Sequence, residues 1–273
     1  SDLNVKDKDR GWWSAPYEYN NKYFTGFAHV TLSGVGCPEM GTLLTMPTTG
    51  KLDVDYRSYG SEYTDEVARP GYYSNHLKKY GVHCEVTSTM RTSIERYTFP
   101  SGRGNLLFNL GNGLTNEVGA TLRRVSATEF EGMRLLGTFC YNPQAVFPRY
   151  FVVRVSKTPQ KSGYWKKQPE LKGAAKDWDV YSGKYKIYDN YGRDMAGNDI
   201  GYFMSFDLKE GEQVEVQVGV SFVSIGNARE NLDAEQPTRD FARVERESHY
   251  VWANTLGRIS VEGGTDEQRR VFY

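Results

Sequence analysis

The sequence carries no excess charge of either sign: 34 Lys and Arg balance 34 Asp and Glu. Without a basic field over the molecule, a polyanion would have to be held by a local patch, so nucleic acid is excluded as a default partner. Cysteine is scarce. Cys37, Cys84 and Cys140 cannot all pair and form no C-x-x-C, which excludes a zinc ribbon or thioredoxin-type site and favours simply buried thiols. No apolar run reaches 18 residues, so no membrane-spanning helix is encoded. Also missing are a G-x-S-x-G elbow, a P-loop, H-E-x-x-H and a dinucleotide fingerprint. His29, His76, His83 and His249 lack metal-site spacing, and no metal ligands are assigned in this chain.

What is present favours β-structure. Among 273 residues, Phe 13, Tyr 20 and Trp 5 stand beside Gly 28, a composition of strands and turns. Short apolar runs follow one another from Tyr72 to Val155, separated by glycine or polar turns and without long helical stretches, which predicts antiparallel sheets rather than βαβ units. Val214, Val216, Val218, Val220 and Phe222 alternate strictly with polar or small residues and predict a strand with one buried face. The segment Gly41 to Pro47 reads as a strand stopped by its proline, residues 50–71 as a loop or short irregular strands, and the lysine-rich residues 157–177 as a linker or long hairpin. The predicted fold is all-β, built of antiparallel sheets, with a C-terminal helical extension. Asn227 to Glu235 and Phe241 to Ile259 show helical spacing, Pro237 separates them, and a further helical start follows Gly263-Gly264.

Candidate chemistry concentrates in the loop Gly26 to Cys37. Gly26, Gly34 and Gly36 let the backbone turn sharply, while His29 and Ser33 set short polar groups beside Phe27, a combination suited to sugar hydroxyls and an apolar ring face. Cys37 assisted by His29 is a weaker option for a nucleophile, since no third group is placed by the sequence. Trp12 and Trp13 are candidates for stacking on sugar. Glu62, Glu66, Glu85, Glu95 and Asp179 are read as solvated carboxylates, as are Asp53 and Asp55, whose spacing lacks the rest of a calcium loop. Trp252 and Leu256 lie on the apolar face of the long helix and are expected to meet another domain.

The run Gly26-Phe27-Ala28-His29-Val30-Thr31-Leu32-Ser33-Gly34-Val35-Gly36-Cys37, with Gly41-Thr42-Leu43-Leu44-Thr45-Met46-Pro47, resembles the N-terminal domain of family 92 glycoside hydrolases, the exo-acting α-mannosidases. Ala68 to Tyr73, Arg96 to Pro100, Val218 to Ser224 and Asn227 to Leu232 with Glu235 extend the resemblance in order, although Thr31 stands where that loop usually carries a second histidine. The resemblance implies a large antiparallel β-sandwich of the supersandwich type over residues 1–240, lacking the family's first segment, and a helical linker over 241–273 leading to an absent (α/α)6 catalytic domain. It implies that this chain is non-catalytic and inactive alone, helping to shape a pocket edged by His29, Ser33, Phe27, Gly34, Gly36 and Cys37. Calcium is expected in the absent domain and no cofactor in this chain. The implied partners are that (α/α)6 domain and mannose-containing glycans, the reaction an inverting removal of terminal mannose, and the location periplasmic or extracellular after loss of a signal peptide. The alternative is a self-contained carbohydrate-binding or adhesion module stacking sugars on Trp12, Trp13 and Trp165.

Overall fold

A computed structural model describes residues 21–30, 41–111, 116–137, 146–173, 180–189 and 191–273. In chain order the strands are β1 (Tyr23–Phe24), β2 (Phe27–Ala28), β3 (Leu44–Thr49), β4 (Ser61–Arg69), β5 (Tyr72–Leu77), β6 (Val82–Ser88), β7 (Thr92–Phe99) and β8 (Gly102–Asn109). They continue as β9 (Asn116–Arg124), β10 (Glu129–Gly137), β11 (Phe147–Val155), β12 (Lys161–Lys167), β13 (Tyr185–Tyr188), β14 (Asp194–Gly197), β15 (Ile200–Leu208) and β16 (Glu212–Ser221). The helices are α1 (Tyr56–Tyr59), α2 (Ile225–Glu235), α3 (Phe241–Leu256) and α4 (Asp266–Phe272).

The strands form two antiparallel sheets, as the composition predicts. One has 10 strands in the order β1-β4-β5-β6-β7-β16-β11-β10-β9-β14, the other 6 in the order β13-β12-β15-β8-β3-β2. Their facing sides enclose an aromatic core in which Phe130 meets Phe108 at 4.7 Å and Tyr202 at 4.9 Å between ring centroids. The alternation in β16 holds for Val214, Val216 and Val218, which are fully buried. It fails at Phe222, which leaves the strand and lies over the Arg149 guanidinium at 3.3 Å.

Helices cover the outer face of the larger sheet. Ser224 caps α2 by accepting the Asn227 N–H at 3.0 Å, and α2 packs on β16 and β11 through Ala228 and Leu232. Gly219 makes this approach possible, because a Cβ there would lie 2.5 Å from the Ala228 carbonyl oxygen. The far side of β16 is therefore dry, and Gln217, polar in sequence, is buried and donates to Gln236 Oε1 at 3.1 Å. The first turns of α3 bury Phe241 and Val244 against Ile94, while Arg96 lies between the Phe241 ring, 4.1 Å away, and two 2.7 Å bonds to Glu85. Burial alone would push the Glu85 carboxyl up, but bonds from Arg96 and Tyr72 outweigh it and hold the group below the usual carboxylate range.

Three local expectations need correction. β3 runs through Pro47, because β2 pairs only with Leu44 and Thr45, and beyond that reach the missing N–H forfeits no ladder bond. Residues 61–69 form a full strand, β4, whose period is broken by a bulge between Thr64 and Val67 with Asp65 at φ 53°. Of the two readings of residues 157–177, the linker fails and the hairpin fits: Lys161–Lys167 is β12, an interior strand paired antiparallel with the next strand, β13, and with β15. Its Trp165 is fully buried, which removes that residue from any sugar-stacking platform.

Candidate functional site

A cavity of about 790 Å³ opens beside β2 and the β6–β7 hairpin, with walls drawn from β5, β6, β7 and β16. Its inner end is set by strand alternation: Ser93 and Glu95 fall in the same register class as Tyr97 and Phe99 on β7, facing the core side. His29 lies against it, just after β2, and is 6% exposed. Both its backbone N–H and its Nδ1 reach the Leu43 carbonyl oxygen, at 2.9 and 3.0 Å. A carbonyl can only accept, so Nδ1 donates, and Nε2 is left facing Glu95 Oε1 at 2.9 Å. Glu95 is fully buried and takes a second bond, from the Tyr97 hydroxyl at 2.8 Å, on its other oxygen.

The surroundings hold this pair in place. The buried Arg134 guanidinium donates to the Gly41 and Thr42 carbonyls at 2.5 and 3.2 Å, fixing the strand start that presents Leu43 to His29. Burial pushes Arg134 down to about 9. Val30, next to His29, has φ 62°, a left-handed backbone that a β-branched residue rarely adopts, and its carbonyl accepts the Gly41 N–H at 2.9 Å. Ser93 Oγ is a buried polar atom without a hydrogen-bond partner among the described residues, and it lines the cavity.

The lip of the cavity is tied to α2. Glu235 accepts from Thr89 Oγ1, from the Arg91 backbone N–H at 3.0 Å and from Arg91 Nε at 2.5 Å. Gln236 donates to Thr92 Oγ1 at 2.6 Å, so the end of α2 grips both sides of the β6–β7 turn. On the opposite rim Arg69 pairs with Glu245 of α3 and covers the Tyr72 ring at 4.3 Å.

The sequence expectations meet this geometry unevenly. His29 reaches the cavity, and Phe27 lines it while stacking on Tyr97 at 6.3 Å and meeting Tyr73 edge-on at 6.0 Å. Ser33, Gly34, Gly36, Cys37, Trp12 and Trp13 lie outside the described residues, as do Cys140 and Asp179. Trp252 is 48% exposed on α3 and Leu256 is half-buried. Three of the supposedly solvated carboxylates are held by partners instead: Glu95 by His29 and Tyr97, Glu85 by Arg96 and Tyr72, and Glu66 by Lys22 and Tyr73. Asp55 caps α1 and Asp53 accepts from Ser58 Oγ at 2.5 Å. Glu95, read from the sequence as solvated, is fully buried at the cavity. Its signal was a carboxylate two positions before Tyr97 on the apolar side of a strand.

Comparison with known proteins gives two family matches. Residues 3–221 match the glycosyl hydrolase family 92 N-terminal domain, and residues 227–273 match the glycosyl hydrolase family 92 catalytic domain. Among solved structures, a family 92 α-mannosidase from Bacteroides thetaiotaomicron superposes with TM-score 0.79 at 26% identity, over 94% of this chain and 34% of that one. A family 92 inverting mannosidase from Bacteroides thetaiotaomicron VPI-5482 superposes with TM-score 0.74 at 21% identity, over 94% of this chain and 32% of that one, which shows the shared fold. The chain thus spans about a third of the length of these structures. No curated protein sequence matches it.

The second match overturns the expectation of a non-catalytic N-terminal domain whose catalytic domain is absent. Catalytic-domain sequence begins at residue 227, carries α2 to α4, and belongs to this same chain rather than to a separate (α/α)6 partner. Expected inactivity of the chain alone loses its basis for the same reason. So does assigning calcium to a domain outside the chain. Among the described residues, no three His, Cys, Asp or Glu side chains are grouped so as to hold a metal ion, and no chemical step is assigned to one.

Proposed function

Because the chain belongs to glycoside hydrolase family 92, as the match over residues 3–221 shows, we propose that it acts in the hydrolysis of α-mannosides, removing terminal mannose from glycans. The observation that carries this reading is that both matched segments meet at one cavity. The sandwich supplies its walls and the His29–Glu95 pair, and Glu235, from the catalytic-domain stretch, secures its lip. Support for the sugar comes from the name of the Bacteroides α-mannosidase, which shares 26% identity.

Each group has a role consistent with its chemistry. The Ser93 hydroxyl is available to one sugar hydroxyl, and the Tyr73 ring offers apolar surface to a pyranose face. Anchored by Leu43, the imidazole places Nε2 2.9 Å from Glu95 Oε1 and keeps that side chain in a fixed position. Glycoside hydrolysis by paired carboxyls needs two of them, about 5–5.5 Å apart for retention and about 6.5–9.5 Å for inversion. Glu95 is the one carboxylate lining this cavity among the described residues. Recognition and orientation are therefore the part assigned to it. A periplasmic or extracellular location, where glycans are met, suits this activity, and the similar structures come from Bacteroides.

Assaying the protein on aryl α-mannoside, α-glucoside and β-mannoside tests the reading. Mannose release from the α-mannoside alone is expected. Equal rates on the glucoside, or no turnover of any of the three, would contradict it.

A further inference from the structure

His76 and His83 stand at a sequence spacing that matches no metal motif, yet the β5–β6 hairpin sets them directly opposite each other, as Cα partners in an antiparallel ladder. We propose that this cross-strand pair binds one divalent transition ion of the Cu²⁺, Ni²⁺ or Zn²⁺ class, held by the two imidazoles with water completing its coordination. Neither histidine lines the His29 cavity, so the inference goes beyond the hydrolytic reading and does not depend on it.

Strand alternation fixes the side of the sheet on which the two rings stand. Leu77 on β5 and Val82 and Cys84 on β6 are fully buried in the core, so His76 and His83, one step out of phase with them, share the outer face. The register is pinned by the turn between them: Gly81, at φ 63°, donates its N–H to the Leu77 carbonyl at 2.8 Å, and the buried Tyr80 donates its hydroxyl to the Tyr59 carbonyl at 2.7 Å. Directly opposed residues have Cβ atoms about 4.5–5.5 Å apart. On that base two imidazoles can converge on one ion at the ordinary metal–nitrogen distance, about 2.0–2.1 Å, without backbone movement.

The surroundings leave both rings open to a cation. Each is half-buried, and among the described residues neither is engaged by a hydrogen bond or an ion pair, whereas His29 is engaged at both ring nitrogens. The neighbouring cations on this face are already paired, Lys78 with Glu62 at 2.8 Å and Arg96 with Glu85 at 2.7 Å, so neither is free to repel an incoming ion. Thr64 and Thr98 flank the pair in the ladder, opposite His76 and His83 respectively. Thr64 donates its hydroxyl proton to Asp65 Oδ2 at 3.1 Å, so its oxygen remains an acceptor for a metal-bound water or an imidazole N–H. The donor type selects the ion: imidazole suits Cu²⁺, Ni²⁺ and Zn²⁺, whereas Ca²⁺ takes oxygen ligands.

Isothermal titration of the protein with Cu²⁺, Ni²⁺, Zn²⁺ and Ca²⁺ tests the proposal. Cu²⁺ is expected to bind tightest, with Ni²⁺ and Zn²⁺ weaker at the same site and Ca²⁺ unable to compete. In His76→Gln and in His83→Gln the Kd for Ni²⁺ should rise about 100-fold, as when a two-point attachment is reduced to one point. His249→Gln, which removes an exposed histidine of α3, should leave that Kd unchanged. Both ladder substitutions are at half-buried positions whose rings hold no other described residue, so folding is retained and can be verified by the metal-free melting curve. Saturating Ni²⁺ should raise the melting temperature of the wild type and of neither single ladder variant, because the ion joins two strands that part on unfolding. No saturable binding of any of the three transition ions, a Kd unmoved in either ladder variant, or an equal loss in His249→Gln would each overturn the proposal.

Discussion

His29→Ala is expected to lower the free energy of unfolding by about 3 kcal/mol, because it leaves buried polar groups short of a partner and opens space where the ring packs. Glu95, fully buried, would keep only the Tyr97 hydroxyl, and the Leu43 carbonyl would lose its bond from Nδ1. The loop Gly26 to Cys37 read as sequence suggests a histidine that serves the site with little effect on the fold. Its placement, with 6% exposure and both ring nitrogens engaged, makes the same residue structural as well. Calorimetric melting and chemical denaturation of the variant measure the loss. Adding Glu95→Gln should recover part of it, since an amide left short of a partner is less costly to bury than a carboxyl group. An unchanged melting temperature in His29→Ala would show that the pair adds nothing to stability.

Gly219→Val should destabilise the protein by roughly 3 kcal/mol through overpacking. A Cβ at this position would lie 2.5 Å from the Ala228 carbonyl oxygen and 2.8 Å from Leu232 Cβ, so α2 itself must move outward. That shift would also carry Glu235 away from the β6–β7 hairpin, so the variant is expected to lose the cavity lip along with stability. Gly192→Ala serves as the control, because nothing lies within 4 Å of a Cβ built there. Hydrogen exchange would check the coupling: faster exchange in α2 and in residues 88–93 together supports it, whereas faster exchange in α2 alone contradicts it.

The parts of the fold legible in the sequence were those where one local period decides the outcome. The alternation of Val214, Val216 and Val218 placed β16, and the helical spacing of Asn227 to Glu235 with Pro237 beyond it placed α2, though not its Ser224 cap. Where a tertiary feature interrupts the period, the reading failed. The bulge at Asp65 hid β4, and the lysines of β12 concealed an interior strand because Lys166 and Lys167 directly follow a fully buried Trp165. The candidate site was half legible for the same reason. His29 stood out through its glycine-rich setting, but Glu95 became visible only when the β7 register put it on the core side, and Glu235 only when α2 packed across the sheet. No local pattern announces a contact between residues 91 and 235.

The central claim is that the cavity beside the His29–Glu95 pair binds the mannose of the substrate. Its most direct test is the kcat/KM for an aryl α-mannoside in the double variant His29→Gln/Glu95→Gln, compared with the wild type at matched melting temperature. The substitutions keep hydrogen-bonding side chains of similar size at both positions while removing the carboxylate and the imidazole. A fall of about 100-fold is expected, as for lost positioning at a reacting sugar, with the fold intact. Wild-type kcat/KM in the double variant would contradict the claim and place the substrate elsewhere on the protein.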